Sequence, residues 1–275
     1  MKSILVNIPT EREFRPLIDA AISLATSLDT GLDAIAFGYE TTSIGLATEG
    51  GTAVAAIFEI EQERAMARAE AALSIVAVEA QAAGVPCRCM PRTAVPYDAA
   101  AAVSALARLY DLTVVLQQDP DSDTFDNTIS QEVLFNSGGP VLLVPYTHKG
   151  VLRRANIGIA WDGSRLAARA MRDATPLLTG ARKITLISVN NTAPFEASVQ
   201  ALKAHLARQG LQADVIETSA GQADIQPTIL SIAADESLDL MVMGGYGHSR
   251  LKERILGGVT RDMLESMTIP TLMSH

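Results

Sequence analysis

The sequence is poor in aromatic side chains and in positive charge. Phe, Trp and Tyr make up 4% of its 275 residues, and 22 Lys and Arg stand against 31 Asp and Glu. The resulting net charge of −9 argues against a nucleic-acid groove, which needs clustered basic side chains to release phosphate counterions. Small anions are not excluded, because main-chain N–H groups bind them without any net positive charge.

Long apolar runs are also missing. The longest, such as residues 53–57, fall far short of the roughly 18 residues that a membrane-spanning helix needs. The amino-terminal apolar stretch is too short for a signal peptide. Hydrophobic residues nevertheless make up 48% of the chain, which is enough to build a folded core. We therefore expect a folded cytoplasmic protein with no membrane partner.

Cysteine is scarce, and the usual catalytic motifs are absent. Only Cys87 and Cys89 are present, and no further Cys or nearby His completes a metal-ligand set around them. The sequence has no P-loop, no G-x-G-x-x-G after its first strand and no G-x-S-x-G nucleophile motif. We expect reduced thiols, no metal site and no catalytic residue, so the chain is not expected to be an enzyme.

Short β-rich runs alternate with longer stretches of helical periodicity. Several runs are almost continuously apolar, which is typical of strands covered by helices on both faces. The predicted strands are residues 4–8, 32–37, 87–90, 112–116 and 141–144 in the first half, and 157–161, 184–189, 213–217, 238–243 and 271–273 in the second.

Helical spacing is clear between these runs. Phe195, Val199, Leu202 and Leu206 recur at intervals of four, three and four, and Gly210 follows as a helix stop. Each half therefore has five strands with four helices between them, which predicts an open parallel α/β sheet.

The two halves are copies of one plan. Asp-Leu-Thr-Val-Val-Leu at 111–116 corresponds to Asp-Leu-Met-Val-Met-Gly at 239–244, and a Pro-led strand follows at nearly equal spacing in both halves. A polar, basic linker lies near residues 147–155. The first half has an extra Gly-, Ala- and Thr-rich segment at residues 41–56, which we interpret as a loop or flap without an assigned role.

Glycines cluster after the fourth strand of the second half. Gly244, Gly247, Gly257 and Gly258 follow one another there, the last two directly before a helical run that starts near Val259. Glycine lets main-chain N–H groups approach a ligand without an obstructing Cβ atom, and a helix N-terminus adds unsatisfied donors with partial positive charge. Open α/β sheets also bind ligands at the carboxyl ends of their strands. The segment therefore predicts a phosphate site.

This pattern resembles the universal stress protein family, whose ATP-binding members carry G-x2-G-x9-G-[S/T] after the fourth strand. Gly244-x2-Gly247-x9-Gly257 matches that spacing, and Gly258 stands where the family has Ser or Thr. Asp162, at the end of the second half's first strand, is similar to the family's Asp that contacts adenosine. The resemblance covers essentially the whole chain, as a tandem of two such domains at residues 1–148 and 152–275.

The resemblance implies an α/β fold of two open-sheet domains related by a pseudo-two-fold axis, each with five parallel strands in the order 3-2-1-4-5. It also implies that Asp162 accepts hydrogen bonds from adenosine, that the main chain near Val189 borders the adenine and that the glycines hold the phosphates. Gly258 lacks the family's hydroxyl, and Thr260 in the first helical turn is a candidate replacement. The expected cofactor is ATP or another adenine nucleotide, with or without Mg²⁺.

Each of these residues also has a purely structural interpretation. The glycines can shape turns or break a helix, and Asp162 can simply form the turn in Asp-Gly-Ser. His248, beside the glycines, either touches a phosphate or lies exposed in the loop. Arg250, Lys252 and Arg254 either steer an anion or form a solvated face.

The first half departs from the pattern. Its first strand ends at residues 7–10 without an Asp, and its fourth strand leads into residues 117–123, which hold Asp119, Asp121 and Asp123 but no glycine. Those carboxylates would repel phosphates, and the register of a Ca²⁺-binding loop is missing. We expect a solvated acidic loop in a degenerate copy that binds no nucleotide.

The expected function is that of a stress-response protein that binds ATP in its carboxy-terminal half and acts through conformation or interactions. Two alternatives stay open: a weak ATPase or phosphotransfer enzyme that uses the same pocket, and a nucleotide-free scaffold with vestigial sites. We expect the halves to pack as an intramolecular pseudo-dimer through their fifth strands, because an open strand edge promotes aggregation. A homodimer of chains is a further option.

Overall fold

Strands and helices alternate along the chain in the computed structural model. It describes residues 1–40, 51–190, 194–245 and 259–275, with only the main chain described at 51–56 and at 261. The elements of the first half are β1 (Ile4–Ile8), α1 (Arg15–Leu28), β2 (Leu32–Tyr39), α2 (Gly51–Ala82), β3 (Cys87–Ala94), α3 (Pro96–Ala107), β4 (Leu112–Leu116), α4 (Asn127–Asn136) and β5 (Val141–Val144). Those of the second half are β6 (Asn156–Ala160), α5 (Arg165–Asp173), α6 (Thr175–Leu178), β7 (Lys183–Val189), α7 (Val199–Arg208), β8 (Asp214–Thr218), α8 (Ile225–Asp235), β9 (Leu240–Gly244), α9 (Val259–Ser266) and β10 (Thr271–Ser274).

The ten strands form one sheet in the order β3-β2-β1-β4-β5-β10-β9-β6-β7-β8. Each half has the order 3-2-1-4-5 when its strands are numbered from its own start, which confirms the predicted fold class. The pairs within each half are parallel. The two fifth strands, β5 and β10, pair antiparallel, with Leu272 opposite Leu142.

Helices cover both faces of this sheet, and each side has a core that crosses from one half to the other. On one side, a single buried cluster joins strands of both halves to four helices. The helices contribute Leu24 of α1, Leu73 of α2, Met171 of α5 and Leu202 of α7. On the opposite side, α3, α4 and α9 share a second cluster with β5 and β10. Within the described ranges, no helix is both long and apolar enough to cross a membrane.

Polar caps set where two helices of the second half, α5 and α7, begin. The Ser164 side chain accepts a hydrogen bond from the N–H of Ala167 and so caps α5. Ser198 caps α7 in the same way, through the N–H of Ala201 at 3.2 Å. The prediction that Phe195 belongs to that helix is therefore wrong: Phe195 lies in a short 3₁₀ turn ahead of the cap and its side chain is 82% exposed.

The loop predicted at residues 41–56 can be compared with the structure only at residues 51–56. Residues 51–56 already belong to α2, so the loop interpretation is wrong there, whereas residues 41–50 lie outside the described residues. Residues 51–56 are helical because they are continuous with the Ala-rich sequence that follows. Extending an existing helix costs less free energy than nucleating a new one. No helix or strand is assigned at residues 145–155, where the linker was predicted.

Candidate nucleotide site

The order of strands in the second half reverses at β6 and β9. The chain enters at β6, moves outward to β7 and β8, and then crosses back to β9 on the other side of β6. At such a reversal the connections leave the carboxyl ends of the two central strands in opposite directions, which opens a space between them. In this half the reversal lies at the carboxyl ends of β6 and β9.

Asp162 lies at this edge, just after β6. Its side chain is exposed, and its Oδ1 atom accepts a hydrogen bond of 2.8 Å from the N–H of Ser164. Gly163 between them has a φ of 73°, a left-handed conformation that glycine adopts without strain. No hydrogen bond to Oδ2 is present among the residues that the structure describes, so the turn holds the carboxylate in place and leaves part of it available.

The indole of Trp161 is held beside Asp162. It is half-buried against the core, and its Nε1 donates a 2.8 Å hydrogen bond to the carbonyl oxygen of Ala197. The main-chain N–H of Trp161 also donates a hydrogen bond to the carbonyl oxygen of Ile187 in β7. These bonds fix the direction in which the chain leaves β6.

Val189, the last residue of β7, is half-buried at the same edge. The residue after it was missed by the sequence analysis: Asn190 has a φ of 56°, and its side-chain amide exchanges two hydrogen bonds with the main chain of Ala220, at 2.8 and 2.9 Å. An Asn directly after a predicted strand is a recognisable signal, because Asn tolerates the left-handed region and bonds nearby main chain. This pair ties the loops after β7 and β8 together next to Val189.

Gly244 is the last residue of β9 and has a packing role of its own. A Cβ atom there would lie 2.6 Å from the N of Ala167 and 2.7 Å from the C of Leu166, so the main chain of α5 passes directly over it. The next residue, Gly245, donates to the carbonyl oxygen of Ser274. The structure thus gives Gly244 a reason to be glycine that is separate from phosphate binding.

The remaining predicted residues divide into two groups. Val259 begins α9 and is half-buried, and Thr260 is buried, with 6% of its surface exposed. The others lie outside the described residues: Gly247, His248, Gly257 and Gly258, together with the basic residues Arg250, Lys252 and Arg254.

The corresponding edge of the first half is filled by its own side chains. Asp126, 5% exposed, accepts hydrogen bonds from the N–H groups of Thr10 and Glu11, at 3.1 and 2.9 Å, and from the hydroxyl of Tyr39 at 2.7 Å. Thr10 in turn donates through Oγ1 to the carbonyl oxygen of Phe37. These bonds join the ends of β1 and β2 to the start of α4.

Arg12 completes this closure. Its guanidinium donates to the carbonyl oxygen of Gln117, at the end of β4, and to Oδ1 of Asn127 at 3.0 Å. Asn127 also bonds the main chain of Asp119 and Ser122, which orders part of the acidic loop. Arg12 therefore spans the carboxyl ends of β1 and β4, the position that corresponds to the carboxyl ends of β6 and β9 in the second half.

Burial dominates the electrostatics of this cluster. It raises the pKa of Asp126, an effect that the hydrogen bond from Tyr39, the N–H of Glu11 and the charge of Arg12 oppose. Burial likewise raises the pKa of Tyr39 and lowers that of Arg12, whose charge Asp126 and Asp119 help to retain. Sequence reasoning missed the cluster because Arg12 and Asp126 are far apart in the chain.

The arrangement in the second half suits binding of a polar ligand. It combines an exposed carboxylate, a half-buried apolar strand end and a helix start at one edge of the sheet. Across the described part of the chain, no three side chains of His, Cys, Asp or Glu come together to hold a metal ion.

Comparison with known proteins finds a family similarity in the second half. Residues 154–275 match the model of the universal stress protein family. Over 45 residues, 16% of this chain, the sequence is 40% identical to Universal stress protein MJ0577 from Methanocaldococcus jannaschii, and the match spans only 28% of that relative.

Solved structures show that the whole chain shares this fold. A universal stress protein from Archaeoglobus fulgidus superposes with a TM-score of 0.74 at 15% identity, covering 98% of this chain and 97% of that one. A putative universal stress protein from Pseudomonas aeruginosa gives a TM-score of 0.64 at 16% identity, covering 100% and 93%. The chain therefore has the fold of these universal stress proteins over its whole length, and its residues 154–275 match the model of that family.

Proposed function

We propose that the carboxy-terminal half binds an adenine nucleotide, ATP or a related one, at the carboxyl ends of β6 and β9. The observation that carries this proposal is the difference between the two halves. Asp162, Val189 and Gly244 surround an edge with an exposed carboxylate, whereas Arg12 and Asp126 fill the equivalent edge of the first half.

Asp162 is the residue that selects the nucleoside. A carboxylate accepts hydrogen bonds from the hydroxyl groups of a ribose, and such a charge-assisted bond contributes about 1.5–3 kcal/mol. The turn through Gly163 and Ser164 holds Oδ1, so the carboxylate loses little freedom when the ligand binds. Val189, half-buried at the next strand end, offers the apolar contact that a purine ring needs.

The phosphates are assigned to the glycine-rich segment and the start of α9. Gly247, Gly257 and Gly258 supply main-chain N–H groups in this proposal, and the N-terminus of α9 at Val259 supplies unsatisfied donors. His248 and Thr260 are the side chains next to them. Mg²⁺ would accompany ATP as its counter-ion rather than as a resident of the protein.

Nucleotide binding, rather than catalysis, is the proposed activity. We place the protein in the cytoplasm, as a regulatory binding protein of the stress response whose two halves act as an intramolecular pseudo-dimer. The antiparallel pairing of β5 with β10 supports the last point. The edge proposed to bind the nucleotide also contacts the first half. The ring of His275 is hydrogen-bonded to the carbonyl oxygen of Gly245 and packs on the ring of Phe135 in α4, with 5.0 Å between the ring centroids.

The experiment that tests this proposal is a thermal-shift titration of the full chain with ATP and Mg²⁺, run beside a phosphate-release assay. With ATP about 100-fold above its Kd, binding should stabilise the fold by about 2.7 kcal/mol and raise Tm by about 5–10 °C. An unchanged Tm would favour the nucleotide-free scaffold. Steady phosphate release that disappears in Gly247→Val would favour the ATPase.

A further inference from the structure

Two cysteines lie side by side on the outermost strand of the first half. Cys87 and Cys89 belong to β3, which pairs only with β2 and forms one end of the sheet. Both are half-buried against the same core cluster. Met90, the residue after Cys89, packs against the cluster on the other side of the sheet. Side chains two apart on a strand share a face. The two thiols therefore point the same way, toward α2.

Groups of α2 and β2 lie next to the thiols. Cys89 donates from Sγ to the carbonyl oxygen of Leu73 in α2, at 3.7 Å, and Cys87 lies two residues earlier on the same face of β3. Their partners across the β2 ladder are Leu32 and Ala34, both buried. The two thiols thus lie on the face of β3 that packs against the core cluster.

We propose that Cys87 and Cys89 form a two-thiolate site for a soft monovalent cation of the Cu(I) class. Thiolate ligands select Cu(I), which is stable with two sulfur ligands, whereas Zn²⁺ in a structural site takes four. In the described ranges no third His, Cys, Asp or Glu joins the pair. The carboxylate whose charge reaches Cys87 is that of Asp33, and it is already held by Arg88 and the hydroxyl of Tyr110, each at 2.5 Å.

A cavity gives the ion a route to Cys87. A cavity of about 390 Å³ opens at the amino ends of β1, β2 and β3, lined by Cys87 together with Lys2, Asp33, Arg88 and Tyr110. Binding one cation replaces two S–H protons, which leave to solvent, and forms two S–metal bonds without any change in oxidation state. The product carries one negative charge, and the cationic side chain of Lys2 also lines the cavity at Cys87.

The test is an anaerobic titration of the fully reduced, full-length protein with Cu(I) against a colorimetric Cu(I) chelator. One Cu(I) per chain is expected. Cys87→Ser and Cys89→Ser should each lower the affinity by more than about 100-fold, the upper end of the cost of losing only an outer-shell partner. Met90→Leu, on the opposite face of the same strand, is the control and should bind as the natural chain does. Failure of the natural chain to take Cu(I) from the chelator would overturn the proposal, as would full affinity in either serine variant.

A second measurement needs no variant and so does not depend on how the serine proteins fold. Maleimide labelling of the natural chain, read by mass spectrometry, should add two labels without the ion and none with one equivalent of Cu(I). Labelling of both thiols at the same rate in the presence of Cu(I) would contradict a shared site. Zn²⁺ added in place of Cu(I) should leave the labelling unchanged, and equal protection by Zn²⁺ would contradict two-coordinate selectivity.

Discussion

Two aspartates at the carboxyl edge of the sheet have opposite surroundings. Asp162 is exposed and uses Oδ1 to hold a turn, whereas Asp126 is 5% exposed and accepts three hydrogen bonds. The exposed carboxylate has capacity left for a ligand. The buried one is consumed by the fold, and this difference at single residues is what distinguishes the two halves chemically.

At Asp162 we predict that Asp162→Asn weakens ATP binding by about 10- to 100-fold, the loss of one charge-assisted hydrogen bond. The Asn oxygen still accepts from the N–H of Ser164, so the turn and Tm should be unchanged. Isothermal titration of the full chain measures the effect. Asp214→Asn, an exposed Asp at the amino end of β8, is the matched control. Equal loss of affinity in both variants would show a general effect of charge rather than a contact.

At Asp126 we predict that Asp126→Ala lowers the free energy of unfolding by about 3 kcal/mol, because the donors of Thr10, Glu11 and Tyr39 lose their acceptor in a buried place. Asp123→Ala, in the exposed part of the acidic loop, should change it by less than about 0.5 kcal/mol. Urea unfolding of the two variants and the natural chain measures both values, and similar losses in both would contradict the buried network.

The loss of stability in Asp126→Ala should depend on pH, and the raised pKa of Asp126 gives the sign of that dependence. A carboxyl whose pKa is higher in the folded state contributes stability that is complete below the unfolded value of about 3.9 and is lost as pH rises through the folded value. The natural chain should therefore exceed Asp126→Ala in stability by more at pH 4 than at pH 7. A margin that widens toward pH 7 would mean that the carboxylate is stabilised as an anion.

At the scale of elements, the sequence predicts strands best where both faces are buried. The run at Val141–Val144 is apolar throughout and was predicted with its observed bounds. β2 continues past the predicted residues 32–37, because Gly38 and Tyr39 still pair with Thr93 and Ala94 although they interrupt the apolar run. β3 has mostly half-buried residues and no clear alternation, so only its first half was predicted. Local pattern thus gives the existence of a strand, and its end depends on the neighbouring strand.

The closure of the first half was beyond local pattern for a related reason. Arg12 lies just before α1, and its partners Gln117 and Asn127 come more than a hundred residues later. Nothing in either segment indicates the other, since the pairing follows from β1 and β4 being neighbours in the sheet. The sequence did predict that this edge lacks a nucleotide pattern, but the side chains that occupy it became visible only with the fold.

For the contact between α5 and β9, we predict that Gly244→Ala destabilises the fold by about 1–3 kcal/mol, because the added Cβ atom would lie 2.6 Å from the N of Ala167 and would push the helix away. Gly245→Ala is the neighbouring control: its Cβ would meet only ordinary contacts, the nearest being Leu134 at 3.5 Å. Thermal unfolding compares the two. If Gly244→Ala keeps the natural Tm and loses only nucleotide binding, its glycine serves the ligand and not the helix.

For the whole molecule, the continuous sheet predicts cooperative unfolding. The strands β5 and β10 join the two halves through main-chain pairing, and one buried cluster on each side of the sheet includes residues of both. The single Trp, Trp161, reports on the second half alone, whereas far-ultraviolet circular dichroism reports on the whole chain. The two signals should follow one urea transition with the same midpoint. Separate midpoints would show that the halves unfold independently.

One measurement tests the central claim, that a single half of this chain holds a nucleotide, most directly. Freshly purified full-length protein is denatured, and the released small molecules are identified and counted by chromatography and mass spectrometry, with any shortfall made up by prior incubation with ATP and Mg²⁺. We predict about one adenine nucleotide per chain, consistent with a first half closed by Arg12 and Asp126. Two per chain would contradict that closure, and none after incubation would contradict nucleotide binding altogether.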